Sequence, residues 1–277
     1  MFRLLTAAAL VSLTACAGTN VSPRALELEP LSGAEAAEVS RRVEALSEAV
    51  PVETYAASVF QASNGLTLPY RLLRPDGVAT GRAWPLVVIL HGSGAIGDDN
   101  RAQVGPLARS WATDDARKRF PAFVLVPQFP ARSANYKAGA NGLPYSEGTA
   151  LLAAAVELVH HVRATEHVAK DETYAMGFSM GGSALWNVLR DQPGLFARAA
   201  IVAGVPTADA ARTAGNTRLL LVHGDADTEN PFAAAWNIFV ASKGGIEFWR
   251  YRGLAHEFPQ DLIVTGRLRD WLFAAAR

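Results

Sequence analysis

The stretch TYAMGFSMGG, at residues 173–182, decides the fold. Its first four residues form an apolar run typical of a buried strand, and a helical pattern follows at 180–191. Between them, residues 177–181 match G-x-S-x-G, in which small residues flank a serine at a tight strand-to-helix turn. Because such a turn raises the side chain above the end of the sheet, we expect Ser179 to be a nucleophile.

The rest of the chain repeats this alternation of short apolar runs and longer helical patterns. Apolar runs lie at 86–90, 123–126, 173–176, 199–202, 219–222 and 247–251, and helical patterns lie near 103–118, 149–165, 180–191, 231–243 and 260–276. All the runs except the last have the composition of strands in a parallel sheet that is covered on both faces. The sequence therefore predicts an α/β fold with a doubly wound, mostly parallel sheet.

Two further elements precede this alternating part of the chain. Ser32 and Glu35 have the spacing of a capping box, which predicts a helix from residue 33 to about residue 50. Residues 54–61 and 66–74 are joined through an Asn-Gly pair, so they are expected to form an antiparallel β-hairpin. The predicted sheet therefore begins with an antiparallel lead-in.

The connections between the predicted strands indicate one domain with an open site. Only residues 203–217 separate the fourth apolar run from the fifth, and this segment is too short for a large cap domain. The longest irregular stretch, 128–147, is rich in Gly, Asn and Pro, and loops of this length are often functional. We expect a single domain over residues 31–277.

Composition limits the possible partners and chemistry. The 277 residues include 26 basic and 26 acidic side chains, so the formal net charge is +0 and no nucleic-acid partner is expected. Hydrophobic residues make up 50% of the chain, which is enough for a large core. The one cysteine is Cys16, near the N-terminus, so the domain itself has no thiol for a disulfide, a metal or a nucleophile.

The N-terminal segment has the features of an export signal. A basic residue and the apolar stretch 4–13 precede LTAC at residues 13–16, which resembles the lipobox of bacterial lipoproteins. The resemblance implies a signal peptide at 1–15, acylation of Cys16 and a tether over 16–30, with the outer membrane as the destination in a Gram-negative cell. The alternative is an ordinary signal peptide, and in both cases we expect the chain to be exported.

Small and polar residues follow the first apolar run, at the end of a strand where ligands bind in open α/β sheets. The run at 86–90 leads into HGSG at residues 91–94. A loop of small residues can point backbone N–H groups at a developing oxyanion. We expect the N–H of Ser93, in preference to that of Gly94, to do so together with the N–H of Met180.

A candidate base and several candidate acids follow later strands. His256 comes after the last apolar run, where a general base can reach a serine above the middle of the sheet. A serine mechanism also needs a carboxylate behind its histidine, and one loop offers Asp225, Asp227 and Glu229. The local pattern leaves the choice among these three acids open.

From about residue 86 to residue 258 the chain resembles the compact α/β-hydrolase esterases that include polyhydroxybutyrate-depolymerase-like and dienelactone-hydrolase-like proteins, a group often labelled predicted peptidases. The motifs that carry the resemblance are HGSG at 91–94, GDDN at 97–100, VPQ at 126–128, GFSMGG at 177–182 and H-G-x-x-D-x-x-x-P at 223–231. The last motif implies Asp227 as the acid, which gives the chain order Ser179, Asp227, His256. The sequence departs from this group at Asn230, where valine is usual.

The resemblance implies a serine hydrolase that cleaves a small carboxylic ester through an acyl-enzyme, without a metal or an organic cofactor. We expect His91, Phe129, Tyr136 and Tyr145 to wall the substrate site. The alternatives are a serine peptidase of the same fold and a catalytically silent surface lipoprotein. We favour esters because an alkoxide or phenolate leaves more readily than an amide nitrogen.

Overall fold

The strands build one large mixed sheet and a separate hairpin in the computed structural model, which describes residues 25–77, 81–213 and 217–274. In chain order the strands are β1 (Leu26–Leu28), β2 (Ala56–Gln61), β3 (Thr67–Leu73), β4 (Trp84–Leu90), β5 (Phe123–Pro127), β6 (Ala134–Ala138), β7 (Pro144–Gly148), β8 (Val168–Phe178), β9 (Arg198–Val202), β10 (Arg218–Gly224) and β11 (Ile246–Tyr251). The order in the large sheet is β1-β11-β10-β9-β8-β4-β5-β3-β2, and β6 pairs with β7.

Neighbouring strands run parallel from β1 through to β5 in this order. At the other edge β3 is antiparallel to β5, and β2 is antiparallel to β3. The structure therefore confirms the predicted mostly parallel sheet and its antiparallel N-terminal hairpin. The strands that carry the candidate site, β4, β8, β10 and β11, all point the same way, so the loops after them meet at one edge of the sheet.

Helices cover both faces of the sheet. They are α1 (Gly33–Ala49), α2 (Pro106–Arg109), α3 (Asp114–Arg119), α4 (Ala150–Thr165), α5 (Met180–Asp191), α6 (Ala210–Thr213), α7 (Phe232–Ala241), α8 (Asp261–Val264) and α9 (Arg267–Phe273). Alternate residues of β4 contribute to two cores: Leu86 packs with Trp186 of α5, whereas Val87 packs with Leu272 of α9. Burial on both faces explains why the central strands have continuous apolar runs.

Two of the predicted helices are each divided into two short helices. The pattern at 103–118 becomes α2 and α3, because Thr113 takes an extended conformation and its side chain accepts from the Ala116 N–H as an N-cap. The pattern at 260–276 becomes α8 and α9, with extended backbone at Thr265 and an N-cap at Gly266. The spacing of the apolar residues predicts one helical face over each stretch. The N-caps at Thr113 and Gly266 start a second helix within it.

The N-terminal predictions need two corrections. The tether was expected to reach residue 30, but β1 pairs in parallel with β11, so the sheet begins inside that segment. Ser32 occupies the N-cap of α1 without a side-chain cap hydrogen bond, so the predicted capping box does not form. The predicted signal peptide at 1–15 and Cys16 lie outside the described residues. Among the residues described, no helix is both long enough and apolar enough to cross a membrane.

The stretch at 128–147 contains the β6–β7 hairpin, which sequence reasoning missed. Asn135 pairs with Glu147 and Lys137 with Tyr145, and a turn with Gly142 at a φ of 76° joins the two strands. Side chains of β6 and β7 are mostly exposed or half-buried, so neither strand has an apolar run that could have revealed it. The hairpin carries Tyr136 and Tyr145 beside the carboxyl edge of the large sheet.

The turn between β8 and α5 packs tightly on the end of β4. A Cβ atom at Gly181 would lie 2.1 Å from the carbonyl oxygen of Leu90, and one at Gly177 would lie 2.4 Å from the carbonyl oxygen of Gly181. Both contacts involve backbone atoms, which cannot rotate away. The glycines of the motif are therefore required by the packing of β4 against this turn.

We predict that Gly181→Ala destabilises the protein by about 3 kcal/mol or more, because the new methyl group overlaps the backbone of β4. The matched control is Gly94→Ala, since nothing lies within 4 Å of a Cβ at Gly94. Urea denaturation followed by circular dichroism measures both changes. Equal unfolding midpoints for the two variants would contradict the close approach described here.

Candidate active site

Ser179 lies at the junction of β8 and α5, at the N-cap of the helix. Its φ of 54° and ψ of −116° are strained for a residue that has a side chain. The strained backbone is held by hydrogen bonds: the Ser179 N–H donates to Val202, and the carbonyl of Ser179 accepts from the Ser183 N–H, both at 2.9 Å. A strained serine held rigidly at the end of a central strand is the geometry predicted from G-x-S-x-G.

A line of hydrogen bonds joins Ser179 to His256 and Asp227. The Nε2 atom of His256 lies 2.8 Å from the Oγ atom of Ser179, and its Nδ1 atom lies 2.8 Å from the Oδ2 atom of Asp227. An ionised carboxylate can only accept, so Nδ1 carries the ring proton and Nε2 is free to accept from the serine hydroxyl. The loops after β8, β10 and β11 thus bring together three residues that are far apart in sequence.

Asp227 remains ionised despite its burial. Burial of the carboxylate acts to raise its pKa, but hydrogen bonds from His223, His256 and the N–H of Asn230 outweigh this, so the pKa of Asp227 lies below its usual range. Its Oδ1 atom accepts from the N–H groups of Glu229 and Asn230 at 3.0 and 2.9 Å. The negative charge behind His256 is therefore fixed in position and present at neutral pH.

The two competing acids have other surroundings. Asp225 accepts from Arg250 at 2.8 Å and from the Gly253 N–H at 2.6 Å, so it ties the loop after β10 to the loop after β11. The side chain of Glu229 is exposed to solvent. Of the three acids that the sequence offered, the structure places Asp227 against His256.

Ser93 and Met180, the residues predicted to supply oxyanion N–H groups, each begin a helical turn. Ser93 begins a short 3₁₀ turn, Ser93–Ala95, and Met180 begins α5. The first N–H of a helical turn has no acceptor within its own helix, so both groups are available to an anion. Met180 directly follows Ser179 and Ser93 follows β4, and their role as oxyanion donors stays a prediction.

The imidazole of His91 links the loop at 91–94 to the backbone of Phe129 by a hydrogen bond. The Nε2 atom of His91 accepts from the Phe129 N–H at 2.9 Å, and its Nδ1 atom lies 2.8 Å from the Gly92 carbonyl. Burial lowers the pKa of His91 and keeps the ring neutral, as these bonds require. Phe129 is fully buried and His91 is 7% exposed. His91 also lines a cleft beside this loop, so its role as a wall of the substrate site stays a prediction, whereas the fully buried Phe129 has no exposed surface to offer a substrate.

Tyr136 reaches the site, whereas Tyr145 does not. The hydroxyl of Tyr136 lies 3.1 Å from the Oγ atom of Ser183, which in turn donates to the carbonyl of Ser179 at 3.0 Å. Asn230 donates from Nδ2 to the Tyr136 hydroxyl at 3.3 Å and to the Ala203 carbonyl at 2.6 Å. Tyr145 lines a separate cleft between the β6–β7 hairpin and α7.

Sequence reasoning missed two features of the site. Phe178 stacks on the imidazole of His256 with ring centroids 5.3 Å apart, although its position inside G-x-S-x-G could have drawn attention to it. Asn230 links the Asp227 loop to Tyr136, and its departure from the usual valine was the available signal. No group of three or more His, Cys, Asp or Glu residues in the described ranges could hold a metal ion.

Known proteins with similar sequences include esterases. Residues 66–250 match the model of the family described as "Putative esterase". The chain is 31% identical over 235 residues to the "Putative esterase NocK" of Nocardia uniformis subsp. tsuyamanensis, an alignment that covers 82% of this chain and 64% of that protein. The chain thus spans less than two thirds of that relative's length.

Solved structures share the fold. The "Crystal Structure of a Thermostable Esterase" superposes with a TM-score of 0.72 at 25% identity and covers 82% of this chain and 64% of that one. The S-formylglutathione hydrolase FrmB of Staphylococcus aureus has a TM-score of 0.56 at 14% identity, with 79% of this chain and 98% of that chain covered. The family match includes the motifs around Ser93, Ser179 and Asp227. The chain therefore belongs to this esterase family.

Proposed function

We propose that the protein is a serine hydrolase that cleaves carboxylic esters through an acyl-enzyme on Ser179. The observation that carries the proposal is the line of hydrogen bonds from Ser179 through His256 to Asp227, with both distances at 2.8 Å. Such a line lets a neutral imidazole remove the serine proton while a fixed carboxylate stabilises the resulting imidazolium. Membership of the esterase family supports the same reaction.

The proposed reaction has two stages. In the first, His256 Nε2 takes the proton from Ser179 Oγ as the oxygen attacks the ester carbon, and the N–H groups of Ser93 and Met180 bind the oxyanion. The imidazolium then gives this proton to the departing alcohol oxygen, which leaves an acyl group on Ser179. In the second stage His256 takes a proton from water, which attacks the acyl carbon, and returns it to Ser179 Oγ.

An ester substrate fits the surroundings of the site better than a peptide. Between β9 and β10 the described residues 203–213 contain only the short helix α6, so this connection adds no cap domain of its own. An alcohol or phenol can leave with little help, whereas an amide nitrogen needs an accurately placed proton donor. We propose small or medium acyl and aryl esters as the substrate class.

Ser179→Ala is predicted to lower kcat/KM on p-nitrophenyl butyrate by about 10⁴-fold or more, because removing the nucleophile disables the whole triad. Alanine has no steric conflict with the neighbouring glycines, so the unfolding temperature should change little. Initial rates of nitrophenolate release, with circular dichroism as the folding control, measure both effects. A folded variant that keeps more than a few per cent of wild-type activity would refute the assignment.

The same assay distinguishes the peptidase alternative. Wild-type kcat/KM should be larger on the p-nitrophenyl esters from acetate to octanoate than on aminoacyl and prolyl p-nitroanilides. A larger value on any anilide than on the best ester would favour a peptidase with the same nucleophile.

Asp227→Asn is predicted to lower kcat by about 10⁴-fold, because a neutral amide no longer enforces the imidazole tautomer that Ser179 needs. Asp225→Asn serves as the matched control: it weakens the bond to Arg250 but leaves His256 and its carboxylate in place. We expect its kcat to fall by less than about tenfold, since it affects the reaction only through loop position. A larger loss of kcat in Asp225→Asn than in Asp227→Asn would contradict the assignment and identify Asp225 as the acid of the triad.

We also propose that the protein is exported and anchored to the cell envelope through a lipid on Cys16. The support is the LTAC segment after an apolar stretch, which precedes the described domain. Two or more acyl chains on one cysteine give a stable membrane anchor.

Cys16→Ala is expected to abolish incorporation of labelled palmitate and to release the protein from the membrane fraction, because the acylated thiol is removed. Ester hydrolysis by the released protein should match that of the wild type, since Cys16 precedes the domain. Cell fractionation with palmitate labelling measures this outcome. Wild-type protein that carries no lipid label would favour the ordinary signal peptide.

A further inference from the structure

An apolar cleft of about 380 Å³ opens beside the candidate oxyanion loop. We call it the α1 cleft, because helix α1 forms one of its walls. Its apolar lining includes Val43 of α1, Leu107 of α2, Ile263 of α8, and Phe178 and Phe258 next to His256. A volume of this size lies at the lower end of the range for small-molecule sites, which begins at about 300 Å³.

The α1 cleft is lined by residues that neighbour the proposed reacting groups. Gly92 and Gly94, which line it, flank Ser93, the proposed oxyanion donor. Phe178 lines it too and immediately precedes Ser179, and its ring stacks on the imidazole of His256. An ester carbonyl placed at Ser179 would therefore have one of its substituents next to the mouth of the cleft.

The lining selects for uncharged groups. No Asp, Glu, Lys or Arg is among the described residues that line the cleft, and its one histidine, His91, is held neutral by burial. The Nε2 atom of Gln103 already donates to Asn100 at 2.6 Å. A charged substituent would lose its hydration here without gaining an opposite charge, whereas an alkyl or aryl group would gain about fourfold in binding for each buried methylene.

Two walls of the cleft come from outside the segment that the family model matches. The match covers residues 66–250, whereas Val43, Phe258 and Ile263 lie before or after it. A hydrogen bond of 2.9 Å from Ser40 to Gln260, which lines the cleft, joins α1 to the loop after His256. The flanking segments therefore contribute walls of the cleft, and His256 also lies after the matched segment.

We propose that the α1 cleft binds an apolar substituent of the ester and that α1 sets the size of that substituent. The proposal rests on the proposed function, because it assigns a substrate class to the same site. Either the acyl chain or the alcohol can supply this group, since both are attached to the carbon that Ser179 attacks. The shared chemistry is an uncharged alkyl or aryl group of medium length.

Val43→Phe tests the proposal, because the larger side chain occupies part of the cleft from a half-buried position on α1. Relative to wild type, the ratio of kcat/KM on the octanoate ester to that on the acetate ester should fall by about fifteenfold or more, the value of two buried methylenes. Val156→Phe is the matched control. Val156 is also a half-buried helical valine, but it lines a groove between α4 and α5.

Two ester series identify the occupant. If Val43→Phe lowers the ratio of kcat/KM on the longest ester to that on the shortest in the p-nitrophenyl series from acetate to octanoate, the acyl chain occupies the cleft. If it lowers the corresponding ratio among the acetates of ethanol to octanol, the alcohol occupies the cleft. Leu107→Ala widens the cleft. It should therefore shift the preference toward longer chains in whichever of the two series Val43→Phe affects. Thermal unfolding of each variant confirms that the compared proteins are folded.

Ratios in both series that stay within about twofold of wild type for Val43→Phe and for Leu107→Ala would overturn the α1 cleft proposal. The same shift in the Val156→Phe control would also overturn it, because the effect would not come from the cleft. A wild-type protein that hydrolyses none of the esters would instead refute the proposed function, and the α1 cleft proposal with it. The two failures are thus distinguishable.

Discussion

The hydrogen bond between Asp227 and His256 is the interaction on which the site depends. It joins two loops that follow neighbouring strands, and it forms only because those loops are held in register. Asp225 bridges them through Arg250 and Gly253, and a Cβ at Gly224 would lie 2.1 Å from the carbonyl oxygen of Leu254, so the backbones almost touch. A buried, ionised Asp227 in this frame fixes both the ring orientation and the tautomer of His256.

The other half of the site is the strained turn at Ser179. Its cost, about 1–3 kcal/mol for such a backbone, is offset by the contacts around it. One set is the close packing of the turn against the end of β4, which leaves room only for glycine at 181. The other set is polar: Ser183, Tyr136 and Asn230 connect the Ser179 carbonyl to the loop that carries Asp227. Ser179 and Asp227 are therefore positioned by one connected network.

The features that could be predicted from the sequence are those that depend on residues close together in the chain. Ser179 and the parallel sheet follow from a tight turn and from continuous apolar runs, and both depend on neighbouring residues. Asp227 was predicted only through resemblance to a family, because nothing local separates it from Asp225. The burial of His91 and Phe129 and the formation of the α1 cleft depend on how distant segments pack, and hydrophobic periodicity carries no information about such contacts.

The central claim is that Ser179 is an activated nucleophile. A fluorophosphonate probe reacts with such a serine, and mass spectrometry of the digested protein locates the modified residue. The account predicts a single modification on Ser179 in the folded wild-type protein and none when the protein is denatured before the probe is added, because activation requires His256 and Asp227 in place. A folded protein that stays unlabelled, or that is labelled on a different serine, would contradict it.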